Sequence, residues 1–299
     1  MEDMSDEEQM LALAPDGARL EVRRFARPGR PRLLLSHGNG FAIDGYRAFW
    51  RLLADEYELI LFDLRNHGRN LPGPLESHTV AAMANDHMLV QAAVTERFGP
   101  RFTVGLFHSV SSIAAIMASV RHQARWDALI LVDPPLIAPP GHPMREQSRK
   151  LDAALSDYAR NRRQRFVDPA ELAAHYRVRI GREWVAGADL DMARAVTRPD
   201  GAGGFLLSCP GAYEARIYAE NAQFESFEGL ASLRQPALII GADPHHGRPF
   251  PPALIGAEAA AAHALAHVVV EQTGHMLQIE RPEIAAAHVR AFVSAQAGG

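Results

Sequence analysis

Short apolar runs alternate along this chain with segments long enough to be helices. RLLLS (Arg32 to Ser36), YELILFD (Tyr57 to Asp63), FTVGLF (Phe102 to Phe107) and ALILVD (Ala128 to Asp133) are continuous rather than alternating in polarity. Strands buried on both faces read this way, and the helix-length spacers between them predict a mostly parallel sheet with crossover helices. Ahead of them, Met10 to Phe25 reads as a hairpin turning at Pro15-Asp16-Gly17, a run that supplies the preset φ and the permissive glycine of a tight turn. After Asp133 the pattern changes. Helical stretches at Glu146–Phe166 and Asp168–Gly181 are broken by Gly and Pro, and no buried strand is expected for roughly a hundred residues. The strand signal resumes at Pro236–Asp243 and His267–Gln272, and Pro282 opens a final amphipathic helix. The expectation is a sheet core from residues 1–134 and 233–299, with residues 135–232 inserted as a helical cap. There is no internal repeat.

Composition narrows the picture modestly. At 299 residues, 47% hydrophobic, the chain is ample for one large domain with an insertion. A formal net charge of -4 excludes a general polyanion binder, so nucleic acid is not an expected partner. Cys209 is the one cysteine, which rules out an intrachain disulfide or a cysteine metal cluster and suits a reducing, cytoplasmic setting. MEDMSDEEQM at the start is acidic and lacks the pattern of a signal peptide. Nowhere do about 18 apolar residues run together, so no membrane span is expected. Lys150 is the lone lysine among the basic residues, a bias read as genomic rather than functional.

In open α/β sheets, reactive groups gather at the carboxyl ends of the strands. Those ends carry His37-Gly38-Asn39-Gly40, His108-Ser109, Asp133 or Asp243, and Gly274-His275. On these residues the chain resembles the α/β-hydrolase fold superfamily. SHGNGF is similar to that family's oxyanion-loop HG motif, FDLRNHGRN to its D-x-R-G-H-G segment with Asn66 in place of glycine, and TGHMLQIERPE to its terminal histidine motif. The resemblance implies an eight-stranded, mostly parallel sheet flanked by helices and a Ser-His-Asp hydrolase with no metal and no organic cofactor.

The resemblance aligns Ser109 with the nucleophile, although Phe107 stands where the elbow's glycine is usual; the bland alternative is that Ser109 merely caps a helix. Ser111 and Ser112 are lesser candidates. His275 is the implied base, since a serine hydroxyl needs an imidazole to take its proton. For the acid, Asp133 is slightly preferred, with Asp243 the alternative because Gly241-Ala242-Asp243 is one residue short of the usual spacing. The N–H groups of Asn39 and Val110 are the implied oxyanion donors, and the Asn39 side chain is a further possible donor. Asp63 matches a structural position.

Gly38, Gly40, Phe41, His108, Leu136 and Trp184 are expected around the substrate. The basic run Asn161–Arg165 reads as a solvated helix face; its alternative is an inward arginine pairing with a substrate carboxylate. The function implied is cleavage of a small carboxylic ester through an acyl-serine. The alternatives are carbon–carbon hydrolysis or lyase chemistry on the same triad, or a non-catalytic ligand-binding protein. Monomer and homodimer both remain open.

Overall fold

The computed structural model of the chain describes residues 7–122, 126–247 and 250–297. Eleven strands among these form two sheets. The larger holds β1 (Glu7–Leu13), β2 (Arg19–Phe25), β3 (Arg32–Ser36), β4 (Glu58–Phe62), β5 (Thr103–His108) and β6 (Ala128–Val132). Two later strands, β10 (Ala237–Ala242) and β11 (Ala266–Val270), complete it. Its order is β1-β2-β4-β3-β5-β6-β10-β11. β1 and β2 form the expected hairpin, with Gly17 at φ +85° in its turn. β2 also runs antiparallel to β4, and the remaining pairs are parallel.

The continuous apolar runs have a simple cause. Leu33, Leu35, Leu59 and Leu61 point into one core, while Leu34, Ile60 and Phe62 point into another on the opposite face. Both faces are covered by helices, so alternate residues need not be polar. Helix Val80–Phe98 is capped by Thr79, whose Oγ1 accepts the Ala82 N–H at 3.0 Å. Among the described residues no helix is long and apolar enough to cross a membrane.

Between β6 and β10 the chain leaves the sheet. Helices Pro143–Asn161, Pro169–Arg179, Ala188–Ala195 and Gly211–Asn221 fill this excursion. No buried strand is expected here, and the strands that form are short and only partly buried. β7 (Arg165–Phe166), β8 (Thr197–Pro199) and β9 (Phe205–Leu207) form a small antiparallel sheet in the order β7-β9-β8. Strands of two or three residues are too short to show any periodicity. The first long helix also ends sooner than its pattern predicts. Arg162 turns extended, with φ -68° and ψ 153°, which carries the basic run off the helix and into β7.

Candidate active site

Ser109 lies on the turn between β5 and the helix Val110–His122, with φ +55°. A non-glycine residue there is strained and needs its surroundings to hold it. Its N–H donates to the Val132 carbonyl at 2.9 Å, and its carbonyl accepts the Ser112 N–H at 2.9 Å. Phe107, in the position expected of a glycine, is fully buried, and its ring lies among Phe62, His87 and Trp126. Gly105 makes the room: a Cβ there would sit 2.6 Å from the Phe107 ring. Ser111 and Ser112 are spent on the backbone, donating to the carbonyls of His108 (2.7 Å) and Phe107 (2.6 Å).

His275 Nε2 is 3.0 Å from Ser109 Oγ, and its Nδ1 is 2.6 Å from Asp133 Oδ2. With Nδ1–H donating to the carboxylate, the Nε2 lone pair faces the serine hydroxyl. Asp133 is itself fixed: its N–H donates to the Ile240 carbonyl at 2.8 Å, and its Oδ1 accepts the Ala242 N–H at 3.1 Å. Asp243, the alternative acid, does not reach the imidazole. Its oxygens accept the N–H groups of Gln272 (3.0 Å) and His245 (2.8 Å), which lower its pKa and make it a brace between two loops.

A hydrogen-bonded chain that the sequence reading missed ties three loops together. The Gly38 N–H donates to Tyr46 Oη at 3.2 Å, Tyr46 O–H donates to His108 Nδ1 at 2.8 Å, and His108 Nε2–H donates to the His275 carbonyl at 2.9 Å. The carbonyl can only accept, which sets the tautomer. Burial holds the His108 imidazole well below its usual range, so it stays neutral. The N–H groups of Asn39 and Val110 have no partner among the described residues. The Asn39 side chain, a possible extra donor, is instead spent on the Glu214 carbonyl at 2.9 Å. Asp63 accepts the N–H groups of Ile43 (2.8 Å) and Arg69 (3.0 Å) and anchors the neighbouring loop.

A family model described as alpha/beta hydrolase family matches residues 33–288. The chain belongs to this family. Solved α/β hydrolases share its fold at low identity. E-2-(acetamidomethylene)succinate hydrolase aligns over 96% of this chain and 99% of that one, with 19% identity and a TM-score of 0.77. The thioesterase domain from the curacin biosynthetic pathway covers 95% and 99% at 21% identity and TM-score 0.70. A malate-bound thermophilic esterase from Thermogutta terrifontis covers 97% and 99% at 18% identity and TM-score 0.68. No curated protein sequence matches the chain.

In this α/β hydrolase a cavity of about 850 Å³ opens over Ser109 and His275, a size typical of small-molecule sites. Gly40, Phe41 and Leu136 line it. Gly38, His108 and Trp184 do not. A Cβ on Gly38 would lie 3.0 Å from His108 Nδ1 and 3.1 Å from Ser109 Cβ, so this glycine lets the loop press onto the elbow. His108 is buried behind the serine, and Trp184 packs against Phe41 and Tyr176.

Arg162, Glu214, Asp152 and Tyr176 give the cavity a polar stretch of wall that sequence reasoning missed, apart from the inward-arginine alternative. Burial raises Glu214 against the opposing pull of Arg162, pushes Asp152 up to about 7 and pushes Tyr176 up to about 12. His67, His78 and Cys209 bring potential ligand atoms within 4.8 Å of one another. Both His67 nitrogens are already engaged, however, by the Arg65 carbonyl and the Gly40 N–H.

Proposed function

We propose that this α/β hydrolase cleaves a carboxylic ester of a small, largely apolar substrate through an acyl-serine intermediate. Ser109 Oγ attacks the ester carbonyl while its proton passes to His275 Nε2; the N–H groups of Asn39 and Val110 receive the oxyanion. Collapse breaks the ester C–O bond, and the leaving alcohol takes the proton back from His275. A water deprotonated by the same imidazole then attacks the acyl carbon, and the acid and free Ser109 are released. Asp133 keeps the imidazole in the required tautomer and stabilises its cation. Residues 135–232 act as the lid that gives the pocket its outer wall.

The observation that carries this reading is the run of contacts from Ser109 Oγ through His275, at 3.0 Å, to Asp133, at 2.6 Å. Solved neighbours named as an esterase and a thioesterase domain support carbonyl chemistry on this fold. The test is labelling with a fluorophosphonate probe alongside turnover of aryl esters of increasing acyl length. Labelling at Ser109, with ester turnover falling about a thousandfold or more in Ser109→Ala, is the expected result. Absence of labelling together with tight binding of a small ligand would replace an enzyme with a receptor. Turnover of a β-diketone with negligible ester turnover would move the chemistry to carbon–carbon bonds.

A further inference from the structure

Arg162 sits on the cavity wall with its side chain only 13% exposed. Its Nη2 is 2.7 Å from Glu214 Oε2, close enough for charge pairing but at an angle that makes no hydrogen bond. Nε and Nη2 are sealed from solvent without a hydrogen-bond partner among the described residues. Nη1 is therefore the one nitrogen neither sealed nor bonded. Beyond this ion pair, the Tyr176 hydroxyl lies against Arg162, and Asn221 Oδ1 is buried with no hydrogen bond. Buried polar groups are ordinarily paired, and an unpaired one costs about 1–3 kcal/mol, more when charged. The Arg162–Glu214 ion pair, with the Tyr176 hydroxyl and Asn221 Oδ1, forms a buried polar cluster in the cavity wall, and Nη1 is the part of it open to a molecule outside the chain.

Position and charge narrow what that is. The Glu214 carboxylate is pressed against the HG loop, 2.7 Å from where a Cβ on Gly40 would be. Gly40 and Ser109 line the same cavity, so a group at Arg162 belongs to the same small molecule as the reacting carbonyl. Arg163, paired with Glu171, and Arg179 are exposed arginines of the lining, and Arg179 leaves positive charge at the rim, which draws anions. Asp152 and Glu214 both hold their protons more tightly than ordinary carboxyls because they are buried.

The geometry points to a substrate that carries a free carboxylate at the end of a short arm, received by Arg162 beside Tyr176 while the ester carbonyl lies at Ser109. This rests on the hydrolase reading only for which end of the molecule reacts; the binding half stands alone. A planar guanidinium is suited to a carboxylate, and such charge-assisted bonds are the strong ones.

Calorimetric titration of Ser109→Ala protein, which needs no turnover, tests the binding half directly. The probes are succinate, glutarate and adipate, each beside the diamide and diamine of equal length. One dicarboxylate should bind roughly tenfold or more tightly than its diamide, from a charge-assisted bond worth about 1.5–3 kcal/mol. In Arg162→Met that preference should vanish. That change alone leaves Glu214 buried without its cation, so Arg162→Met/Glu214→Gln, which removes both charges, provides the folded control and should lose the preference too. The proposal is overturned if no dicarboxylate binds at millimolar concentration, if a diamide or diamine binds as well, or if the double variant keeps the preference. Dicarboxylate binding without fluorophosphonate labelling would retain the anion site and reject the hydrolase reading.

Discussion

Two arginines largely removed from water, one in the loop after β4 and one on the cavity wall, are treated in opposite ways. Arg65 has every guanidinium nitrogen engaged. Its Nε and Nη2 donate to Asp86 at 2.6 and 2.7 Å, and its Nη1 donates to Asp16 at 2.6 Å and to the Ser77 carbonyl at 2.9 Å. Arg162, on the wall contributed by the excursion, is ion-paired with Glu214 and leaves Nε and Nη2 without a hydrogen bond among the described residues. Both are removed from water, with side chains 3% and 13% exposed. Arg65 is completed by the chain itself, whereas Arg162 has a single ionic partner; unpaired buried atoms also occur on the sheet side, at Arg32 Nη2 and Asn39 Oδ1.

That contrast fails if the bonded side chains on the sheet side tolerate loss of a partner. The largest effect falls on Asp133, whose two oxygens are spent on His275 and the Ala242 N–H. Asp133→Asn should lower ester kcat by about 10⁴-fold, because the amide favours the wrong imidazole tautomer. Asp243→Asn, which only loosens a loop brace, should cost less than about tenfold. Similar losses in both, measured by steady-state kinetics, would place the acid wrongly. Next comes Asp86→Ala, which removes two of the four hydrogen bonds of Arg65 and its buried counter-charge. Denaturant unfolding should show a loss of about 3–5 kcal/mol, whereas Arg162→Met/Glu214→Gln should be neutral or stabilising. Equal destabilisation of the two would erase the distinction between the regions.

How far the sequence foretold these two sides differs for physical reasons. The sheet was legible because its strands are buried on both faces and leave unbroken apolar runs, and because the HG, HS and TGH segments fall at strand ends. Which aspartate lies against His275 was not, since Asp133 and Asp243 follow adjacent parallel strands. Asp133 reaches the imidazole from a position 142 residues away, with its backbone at φ +41°, which no local pattern reports. The Tyr46–His108 link joins residues 62 positions apart and leaves no local trace either. Arg162 was hidden for another reason: a basic run after a helical stretch looks solvated unless the helix is known to stop at Asn161.

The excursion side should also show its buried polar groups in its pH response. Asp152 is 6% exposed and has one hydrogen-bond donor, Asn221 Nδ2 at 3.0 Å; burial raises it from 3.8 to about 7. A carboxyl raised in the folded state adds stability that is complete below its unfolded value near pH 4 and is lost as pH climbs through 7. Relative to wild type, Asp152→Asn should therefore gain stability between about pH 4 and 7 and level off above. Three pKa units at about 1.4 kcal/mol each cap the gain near 4 kcal/mol. A difference that does not change with pH in urea titrations would mean the group is charged and solvated in the folded protein.

The finest test lies under the elbow itself. Phe107 fits in a glycine's usual place only because Gly105, two residues earlier on the same face of β5, leaves its own side-chain space empty. A Cβ on Gly105 would meet the Phe107 ring at 2.6 Å and Leu129 Cδ1 at 2.9 Å, distances no packed core accommodates without movement. Gly105→Ala alone should therefore cost about 1–3 kcal/mol through overpacking. In a Phe107→Ala background, itself about 3–5 kcal/mol down from the cavity it opens, the added methyl has room, and most of its penalty should disappear. The coupling in this double-mutant cycle isolates the contact from the general cost of altering a strand. If Gly105→Ala is as costly without the ring as with it, then the strand needs that glycine for its contact with Leu129 or its backbone. The elbow would then owe its tolerance of Phe107 to something other than a glycine displaced by two positions.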